Sequence, residues 1–315
     1  MEYRRLGNTN IDISRLCFGS LTISPLQAHL SIEEGAKIIE TAMDLGVNFL
    51  DTAELYQNYE YIKKAISKKR EKIVISTKSY AYSSEGAEKS LLKALKEIGT
   101  DYIDIFLLHE QESEHTIRGH FEALEYLIKA KQKGLIRAIG ISTHAIAGVR
   151  AACKYNEIEV IHPIVNKNGL GIIDGDISQM LKAIENAYNK GKGIYAMKPL
   201  GGGNLNKNIS ECFSFVLKNP HIHSIAVGMQ SQEELMCNTL IFENKEVPKE
   251  VTSKINNRIR RLLIDFWCKG CGACVNACSQ GALKIVDDKV YVDNEKCLLC
   301  GYCGAYCSEF CIKIV

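Results

Sequence analysis

Several features that would indicate other classes of protein are missing from this sequence of 315 residues. Its first residues contain no long apolar segment of the kind found in secretory signals. No uninterrupted apolar run approaches the ~20 residues that a membrane-spanning helix needs. Neither charge dominates, since 39 basic residues are set against 37 acidic ones. We therefore expect a cytoplasmic protein that binds neither nucleic acid nor an anionic membrane surface.

Cysteine is scarce in most of the chain and concentrated at its end. Four of the 13 cysteines precede residue 268, and the other nine fall in the last 48 residues. Because disulfide bonds are rare in a reducing cytoplasm, cysteines at this density predict metal ligation.

Short β-branched runs alternate with amphipathic helical stretches up to about residue 243. The predicted strands are 15–18, 47–51, 72–77, 103–109, 136–140, 160–165, 193–197 and 224–227. The clearest predicted helices are 31–45, 84–98, 118–133, 176–190 and 231–242. Such alternation predicts parallel strands with right-handed crossovers.

Eight strand–helix units in this length favour an α/β fold of the closed (β/α)8 type, a TIM barrel. A doubly wound open sheet is the alternative, but no G-x-G-x-x-G follows the first strand. Residues 1–14 are predicted to form a hairpin that closes the bottom of the barrel. We expect the barrel to span 1–247, a connecting helix 248–265, and a second domain 266–315.

The cysteines of the second domain form two runs with the same spacing, C-x2-C-x2-C-x3-C. The first run is Cys268, Cys271, Cys274 and Cys278, and the second is Cys297, Cys300, Cys303 and Cys307. Placing one run on the other also superimposes a glycine and a closing Lys-Ile-Val, which indicates an internal duplication. Zinc sites usually combine two separated C-x2-C pairs. The pattern therefore favours two [4Fe–4S] clusters over zinc.

Over its whole length this tail resembles the bacterial two-cluster ferredoxins, which implies a small α+β domain. The resemblance implies that Cys268, Cys271, Cys274 and Cys307 bind one cluster, and that Cys297, Cys300, Cys303 and Cys278 bind the other. Ser279 and Ser308 replace the usual proline, which affects turn rigidity and not ligation. Cys311 is expected to be a small buried side chain near a cluster.

Four polar residues are predicted at or just after the carboxyl ends of successive strands: Asp51, Tyr56, Lys78 and His109. In type, order and strand they match the catalytic tetrad of the aldo-keto reductases, a family that the chain resembles from about residue 1 to 242. A hydride added to a carbonyl leaves an alkoxide that needs a proton, and Tyr56 is the expected donor. Lys78 would lower the pKa of Tyr56, Asp51 would orient Lys78, and His109 would position the substrate oxygen.

The resemblance also implies NAD(P)H as a cofactor. The residues expected to contact it are Ser142, Thr143 and Asn166 near the carboxamide, Met197, Leu200, Gly201, Gly202, Gly228, Ser231, Glu234 and Asn238. Glycines at 201–203 would let the backbone approach the pyrophosphate. His162 stands where the family commonly has a glutamine, and Met197 replaces a common aromatic.

The stretch 228–238 contains no lysine or arginine that could hold the 2′-phosphate of NADPH. Glu234 stands where the family usually has an arginine, and a carboxylate repels a phosphate but accepts a hydrogen bond from a free hydroxyl. We therefore expect NADH to bind at least as well as NADPH, unless a cation reaches in from another loop.

Three functions fit these features. The first is an oxidoreductase that reduces a carbonyl, or oxidises an alcohol, while its clusters connect it to a ferredoxin, a flavodoxin or another redox protein. The second is an electron-transfer or adaptor protein with a catalytically idle barrel. In the third the clusters only support the fold. The complete tetrad favours an enzyme, and oxygen-labile clusters would imply an anaerobe. Hydride carries two electrons and a cluster accepts one, and the sequence has no specific flavin motif.

Overall fold

The structure, a computed structural model, describes residues 1–67 and 69–315. The chain begins with an antiparallel hairpin of strands β1 (Tyr3–Arg5) and β2 (Asp12–Ser14). Within the described ranges, eight parallel strands then close into a barrel. These strands are β3 (Leu16–Gly19), β4 (Phe49–Asp51), β5 (Val74–Ser79), β6 (Ile103–Leu108), β7 (Ile136–Thr143), β8 (Val160–Pro163), β9 (Gly193–Met197) and β10 (Ser224–Gly228). The predicted TIM barrel is confirmed.

Helices cover the outside of the barrel. They are α1 (Ile32–Asp44), α2 (Tyr59–Ile66), α3 (Ser84–Ile98), α4 (Glu114–Gly119), α5 (Phe121–Gln132), α6 (Ile146–Ala152), α7 (Ile177–Asn189), α8 (Ile209–Leu217) and α9 (Gln232–Phe242). Ser31 and Glu34 form a capping box at the start of α1, so the chain enters this helix with its first amides satisfied. No helix of the described chain is both long and apolar enough to cross a membrane.

The predicted helix 118–133 is two helices instead of one. Ser113 caps α4, and α5 begins only at Phe121, because the backbone of His120 between them leaves the helical conformation. The sequence around this break has no proline and a single glycine, Gly119, so the pattern gives little sign of the boundary between the two helices.

The N-terminal hairpin closes the bottom of the barrel, as predicted. Leu6, Ile11 and Ile13 are buried in one cluster with the inward side chains of the barrel strands, such as Phe49 and Tyr195. A side chain at Gly7 would lie 2.4 Å from the backbone nitrogen of Gly193, so only glycine lets the hairpin approach this closely. The hairpin is therefore part of the barrel core.

A C-terminal group of short strands and helices, from Leu262 to Ile314, follows helix α10 (Lys249–Asn256). Its elements are β11 (Leu262–Ile264), α11 (Ala273–Asn276), β12 (Leu283–Val286), β13 (Lys289–Val292), α12 (Tyr302–Ala305) and β14 (Ile312–Ile314). Strand β11 pairs with β14, and β12 pairs with β13, both antiparallel. The two short helices and two strand pairs form the small α+β domain that the sequence predicted.

The connecting helix predicted over 248–265 is too long. The helix ends at Asn256, and Leu262–Ile264 is a strand whose partner comes from the very end of the chain. A partner so distant in sequence leaves no trace in local periodicity. The domain boundary near residue 265 stays a prediction, and this pairing argues for a boundary before Leu262.

Shortening Ile13 to alanine tests the role of the hairpin. Ile13 is fully buried, so we expect a loss of about 2–5 kcal/mol of stability from lost burial and the cavity left behind. Ile259→Ala is the matched control, because Ile259 is 95% exposed, and its effect should stay within about 0.5 kcal/mol. Anaerobic urea titration followed by far-UV circular dichroism measures both midpoints. Equal shifts in the two variants would mean that the hairpin does not support the barrel.

Candidate active site and cysteine cavities

The four predicted tetrad residues meet at the carboxyl end of the barrel. The Lys78 ammonium donates hydrogen bonds to Asp51 Oδ2 at 2.8 Å and to the Thr52 carbonyl oxygen at 2.7 Å. Lys78 and Asp51 are 1% and 4% exposed. Lys78 Nζ lies 5.0 Å from the centre of the Tyr56 ring, and the rings of Tyr56 and His109 are 6.2 Å apart. A buried ion pair thus lies beside a phenol and an imidazole.

Tyr195, which sequence reasoning missed, supports the other oxygen of Asp51. Its hydroxyl donates to Asp51 Oδ1 at 2.9 Å and lies 2.8 Å from Ser76 Oγ. The His162 ring stacks on Tyr195 at 3.8 Å, and burial lowers the pKa of His162 to about 4, so this imidazole is neutral. Tyr195 precedes Met197 by two residues on β9, and this alternation is the one signal that points it into the barrel.

The expected lowering of the Tyr56 pKa by Lys78 is wrong for the structure as it stands. Burial, followed by the negative charges of Asp51 and Glu110, raises the pKa of Tyr56 well above its ordinary value. The Lys78 ammonium is paired with the Asp51 carboxylate at 2.8 Å. Its positive charge is therefore opposed at close range and does not lower the pKa of Tyr56. Tyr56 is therefore a protonated phenol at neutral pH, and it is a weaker acid than an ordinary tyrosine.

His109 is neutral as well. Burial, then the positive charges of Lys78 and Lys198, lower the pKa of His109 well below its ordinary value. The Tyr80 ring stacks on the His109 ring at 4.3 Å, and the Tyr80 hydroxyl donates to Glu110 at 2.6 Å. His109 Nδ1 is buried and has no hydrogen-bond partner among the described residues. A neutral imidazole held by stacking suits a group that hydrogen-bonds a carbonyl oxygen.

A cleft runs from Asp51 and Tyr56 across the barrel mouth to Glu234. Of the residues predicted to bind the nucleotide, it is lined by Met197, Leu200, Gly202, Gly228, Glu234 and Asn238. It is also lined by residues that were not predicted, including Lys198, Arg260 and Lys313. The cleft therefore joins the tetrad to the segment where the family resemblance expects the adenosine end of a dinucleotide.

Other predicted nucleotide contacts lie outside the cleft. Ser142, Thr143 and Asn166 are fully buried, and their side chains bond to backbone groups of Glu110, Ala145 and Leu170. These bonds shape the loops after β7 and β8. Ser231 is the cap of α9 and accepts from the Glu234 amide. Gly201 is buried under Leu170 and Leu205. The structure does not bring these five residues to the cleft surface.

Arg260 bears on the expected preference for NADH over NADPH, because it contacts Glu234. Its guanidinium donates to Glu234 Oε1 at 3.1 Å, and Arg258 lies 4.0 Å from the same oxygen. The other Glu234 oxygen accepts from the Gln230 amide at 2.7 Å. The stretch 228–238 has no cation of its own, but one reaches it from the segment between α10 and β11.

The glycine loop, residues 200–203, packs against the C-terminal domain. A side chain at Gly203 would lie 2.2 Å from the carbonyl oxygen of Ile314, and one at Gly202 would lie 2.7 Å from the Lys313 side chain. Asn204 Nδ2 donates to the Ile312 carbonyl at 3.0 Å. The glycines are thus required by the approach of β14, a reason that the sequence did not reveal. Lys313, Ile314 and Val315 form one wall of the cleft.

The eight cysteines of the two runs surround two cavities. Cys268, Cys271, Cys274 and Cys307 line the first, and Cys278, Cys297, Cys300 and Cys303 line the second. Each cavity thus takes three cysteines from one run and the fourth from the other, which is the grouping that the ferredoxin resemblance implies. Within residues 1–67 and 69–315, no three metal-binding side chains converge closely enough for a single ion. The donors surround a space instead, which fits a cubane whose irons lie at separate corners.

Backbone geometry in the two runs is also matched. Gly272 and Gly301 have φ of 81° and 80° at the starts of α11 and α12. Backbone amides of Gly270, Ala282 and Cys311 donate to the sulfur atoms of Cys268, Cys278 and Cys307. Amide donors of this kind stabilise thiolate sulfur. Cys311 also lines the first cavity, so a fifth cysteine adjoins that site.

Curated proteins of known name resemble parts or all of the chain. L-galactose dehydrogenase of Arabidopsis thaliana is 25% identical over 86% of this chain and 98% of its own length. The oxidoreductase YqkF of Bacillus subtilis is 33% identical, but the match spans 45% of this chain and 49% of YqkF. Methylglyoxal reductase DkgA of Escherichia coli is 28% identical over 53% of this chain and 64% of that protein.

Solved structures and family models agree on the barrel. PA4992 of Pseudomonas aeruginosa, assigned to the aldo-keto reductases, superimposes with a TM-score of 0.67 at 25% identity, over 77% of this chain and 94% of its own. The fold is shared with AKR11C1 of Bacillus halodurans, at a TM-score of 0.65 and 20% identity, over 81% and 95% of the two chains. Residues 262–308 match the 4Fe-4S dicluster domain. Residues 15–211 match the model of the Aldo/keto reductase family, so the chain belongs to the aldo/keto reductases and carries an iron–sulfur domain at its C-terminal end.

Proposed function

We propose that this oxidoreductase reduces a carbonyl group with NAD(P)H, and that its two [4Fe–4S] clusters connect the barrel to a one-electron carrier. The buried Asp51–Lys78 ion pair beside Tyr56, at the inner end of a long cleft, carries the proposal. Relatives named as a sugar dehydrogenase and a methylglyoxal reductase support a carbonyl–alcohol couple. The nicotinamide cofactor, when bound, supplies the hydride.

Different side chains would donate the proton, stabilise the phenolate and orient the carbonyl group. Tyr56 gives the proton that the new alkoxide requires, and its raised pKa supports the reduction direction because it keeps the phenol protonated. Lys78 lies near enough to stabilise the phenolate left behind. Neutral His109 orients the carbonyl oxygen by a hydrogen bond. Tyr195 and Thr52 keep the ion pair in place.

The cleft fits a dinucleotide in its polar groups. Its inner end adjoins Tyr56 and Met197, its middle passes Lys198 and the glycine loop, and its outer end reaches Glu234 and Asn238. We propose that the outer end binds the adenosine ribose. Arg260 and the Glu234 carboxylate neutralise each other, so Arg260 is not free to hold a 2′-phosphate, and on this ground we retain the proposal that NADH binds at least as well as NADPH.

We propose that the two groups of four cysteines hold the clusters. Ile312 of β14 lines the first cavity while Ile314 of the same strand lines the cleft, so one strand adjoins both. Gly301 of the second cavity packs on Asn204 beside the glycine loop. This proximity supports exchange of electrons with a ferredoxin, a flavodoxin or a similar partner. Cys271 is exposed, which supports oxygen-sensitive clusters and work in an anaerobic cytoplasm.

An electron-transfer or adaptor protein with an idle barrel is the second candidate. One observation favours it: β14 lies against the glycine loop, where the pyrophosphate of a dinucleotide is expected. An enzyme must still admit the cofactor beside that strand. Anaerobic titration with NADH and NADPH, read by calorimetry and by cluster absorbance, separates the two, since an idle barrel binds neither and leaves the absorbance unchanged.

The two groups of four cysteines predict how much iron the protein contains. We expect eight iron and eight sulfide per chain after anaerobic purification, determined by colorimetric assay. Cys307→Ser should remove one cluster's iron, whereas Cys311→Ser, a change in the same cavity, should leave the iron content intact. Stoichiometric zinc with little iron would contradict the assignment, as would loss of iron in the Cys311 variant alone.

Replacing Tyr56 by phenylalanine keeps the ring and removes the proton donor. We expect carbonyl reduction to fall by at least about 100-fold, with the nucleotide dissociation constant nearly unchanged. Tyr80→Phe is the control, because it keeps the ring that stacks on His109 and loses only the bond to Glu110. Steady-state rates with methylglyoxal and other small carbonyls measure the effect. Full activity of the Tyr56 variant would move the chemistry elsewhere.

The nucleotide preference tests Glu234 and Arg260 together. The unmodified protein should bind NADH at least as tightly as NADPH. Glu234→Gln removes the repelling charge and frees Arg260, so NADPH should gain about tenfold relative to NADH. Adding Arg260→Met to that variant should abolish the gain. Isothermal titration calorimetry gives the constants, and clearly tighter NADPH binding by the unmodified protein would refute the preference.

A further inference from the structure

Among the residues that the structure describes, Lys198 has no carboxylate partner although it lines the cleft. It directly follows β9 and lines the cleft between Met197 and the glycine loop. Its only side-chain hydrogen bond within the described chain joins Nζ to His144 Nε2 at 2.7 Å. Burial and the charges of Lys198 and Lys313 lower the pKa of His144, so this partner is neutral and accepts.

Two neighbouring lysines that are buried, unlike the half-buried Lys198, are compensated. Lys78 is paired with Asp51 at 2.8 Å, and Lys313 lies 3.4 Å from Asp265. These two pairs cancel in charge, and Lys198 is left as one uncompensated positive charge. A cation partly removed from water without a counter-ion is costly, so an anion bound beside Lys198 would be stabilised there.

Residues of both domains converge on this charge. The ammonium groups of Lys198 and Lys313 lie 4.9 Å and 3.7 Å from the centre of the Phe310 ring. The His144 ring meets Phe310 edge-on at 6.0 Å. Two cations and a neutral imidazole around one ring form a positive pocket at the junction of the barrel with β14.

The backbone at Lys198 is strained, which is a second and independent observation. Its φ of 58° lies in the left-handed region, which a long side chain rarely adopts. Strain of this kind persists where the surrounding structure enforces it, and it concentrates at ligand-binding positions.

We propose that Lys198, with Lys313 behind it, is an anion subsite that takes an oxyanion group, a phosphate or a carboxylate. Two anions could bind there, and their identity rests on the proposed function. One source is the pyrophosphate of the dinucleotide, and the other is the carboxylate of an acidic carbonyl substrate. An oxyanion would form charge-assisted hydrogen bonds to Nζ and cancel the excess charge.

The subsite gives the protein a pH dependence of known sign. Burial, then the charge of Lys313, lowers the pKa of Lys198 to about 7, opposed by Glu110 and Asp265 and reinforced by Lys78. His144 faces the same ammonium and stays neutral. Lys198 is therefore cationic and able to bind an anion below this pH, and it loses its charge as the pH rises above it.

Lys198→Met in the anaerobic holoprotein tests the subsite, with Lys198→Arg as the conservative variant. Lys218→Met is the control, since Lys218 is an exposed lysine outside the cleft. The probes are ADP-ribose, and acetate added to protein saturated with NAD⁺, both measured by calorimetry. We expect Lys198→Met to weaken one probe by at least about tenfold, Lys198→Arg to restore it, and Lys218→Met to leave it unchanged.

The two probes separate the sources of the anion. Weaker ADP-ribose binding assigns the subsite to the pyrophosphate, and weaker acetate binding assigns it to a substrate carboxylate. Unchanged binding of both probes refutes the subsite and leaves the proposed function intact. A protein that binds no nucleotide refutes the proposed function, while acetate, then added alone, still tests the subsite.

The unmodified protein provides a check that needs no variant. Between about pH 7 and pH 9 its affinity for the responsive probe should fall by up to tenfold per pH unit, and it should level off below pH 7. An affinity for both probes that is flat across this range would overturn the proposal.

Discussion

The buried ion pair of Asp51 and Lys78 is the constraint around which the barrel mouth is built. Two charges removed from water are stable only when their remaining hydrogen-bonding groups are also satisfied. Lys78 meets this condition through the Thr52 carbonyl, and Asp51 meets it through the Tyr195 hydroxyl. Three strands, β4, β5 and β9, must therefore be in register for the pair to exist. The ion pair joins two neighbouring strands, and its hydrogen bond from Tyr195 adds a third strand from across the barrel.

The same pair determines the electrostatic state of its neighbours. The negative charge of Asp51 helps to keep Tyr56 protonated, and the positive charge of Lys78 helps to keep His109 neutral. This net-neutral pair affects its two neighbours differently, since Asp51 raises the pKa of Tyr56 and Lys78 lowers the pKa of His109. If Tyr56 and His109 act as proposed, both have the required protonation state without a bound ligand, which is preorganisation of the kind that lowers a reaction barrier.

Local patterns predicted the parts of the molecule that depend on local chemistry. The period of apolar residues located α3 and β9 to the residue, and the capping signal at Ser31 located the start of α1. The tetrad was recognisable because its members follow successive strands. Features that depend on distant partners escaped: β11 pairs with the end of the chain, Arg260 crosses to Glu234, and the glycine loop is shaped by β14. The pKa of Tyr56 escaped for the same reason, since Glu110 becomes its neighbour only in the folded barrel.

Strand β14 belongs at once to the iron–sulfur domain and to the wall of the cleft. With Cys307 as a cluster ligand, the segment that leads into β14 is anchored by iron, and the strand then bears on Gly203. The proposal that Cys307 binds a cluster therefore has a consequence for folding: the wall of the cleft that β14 forms would depend on iron insertion as well as on the fold of the barrel.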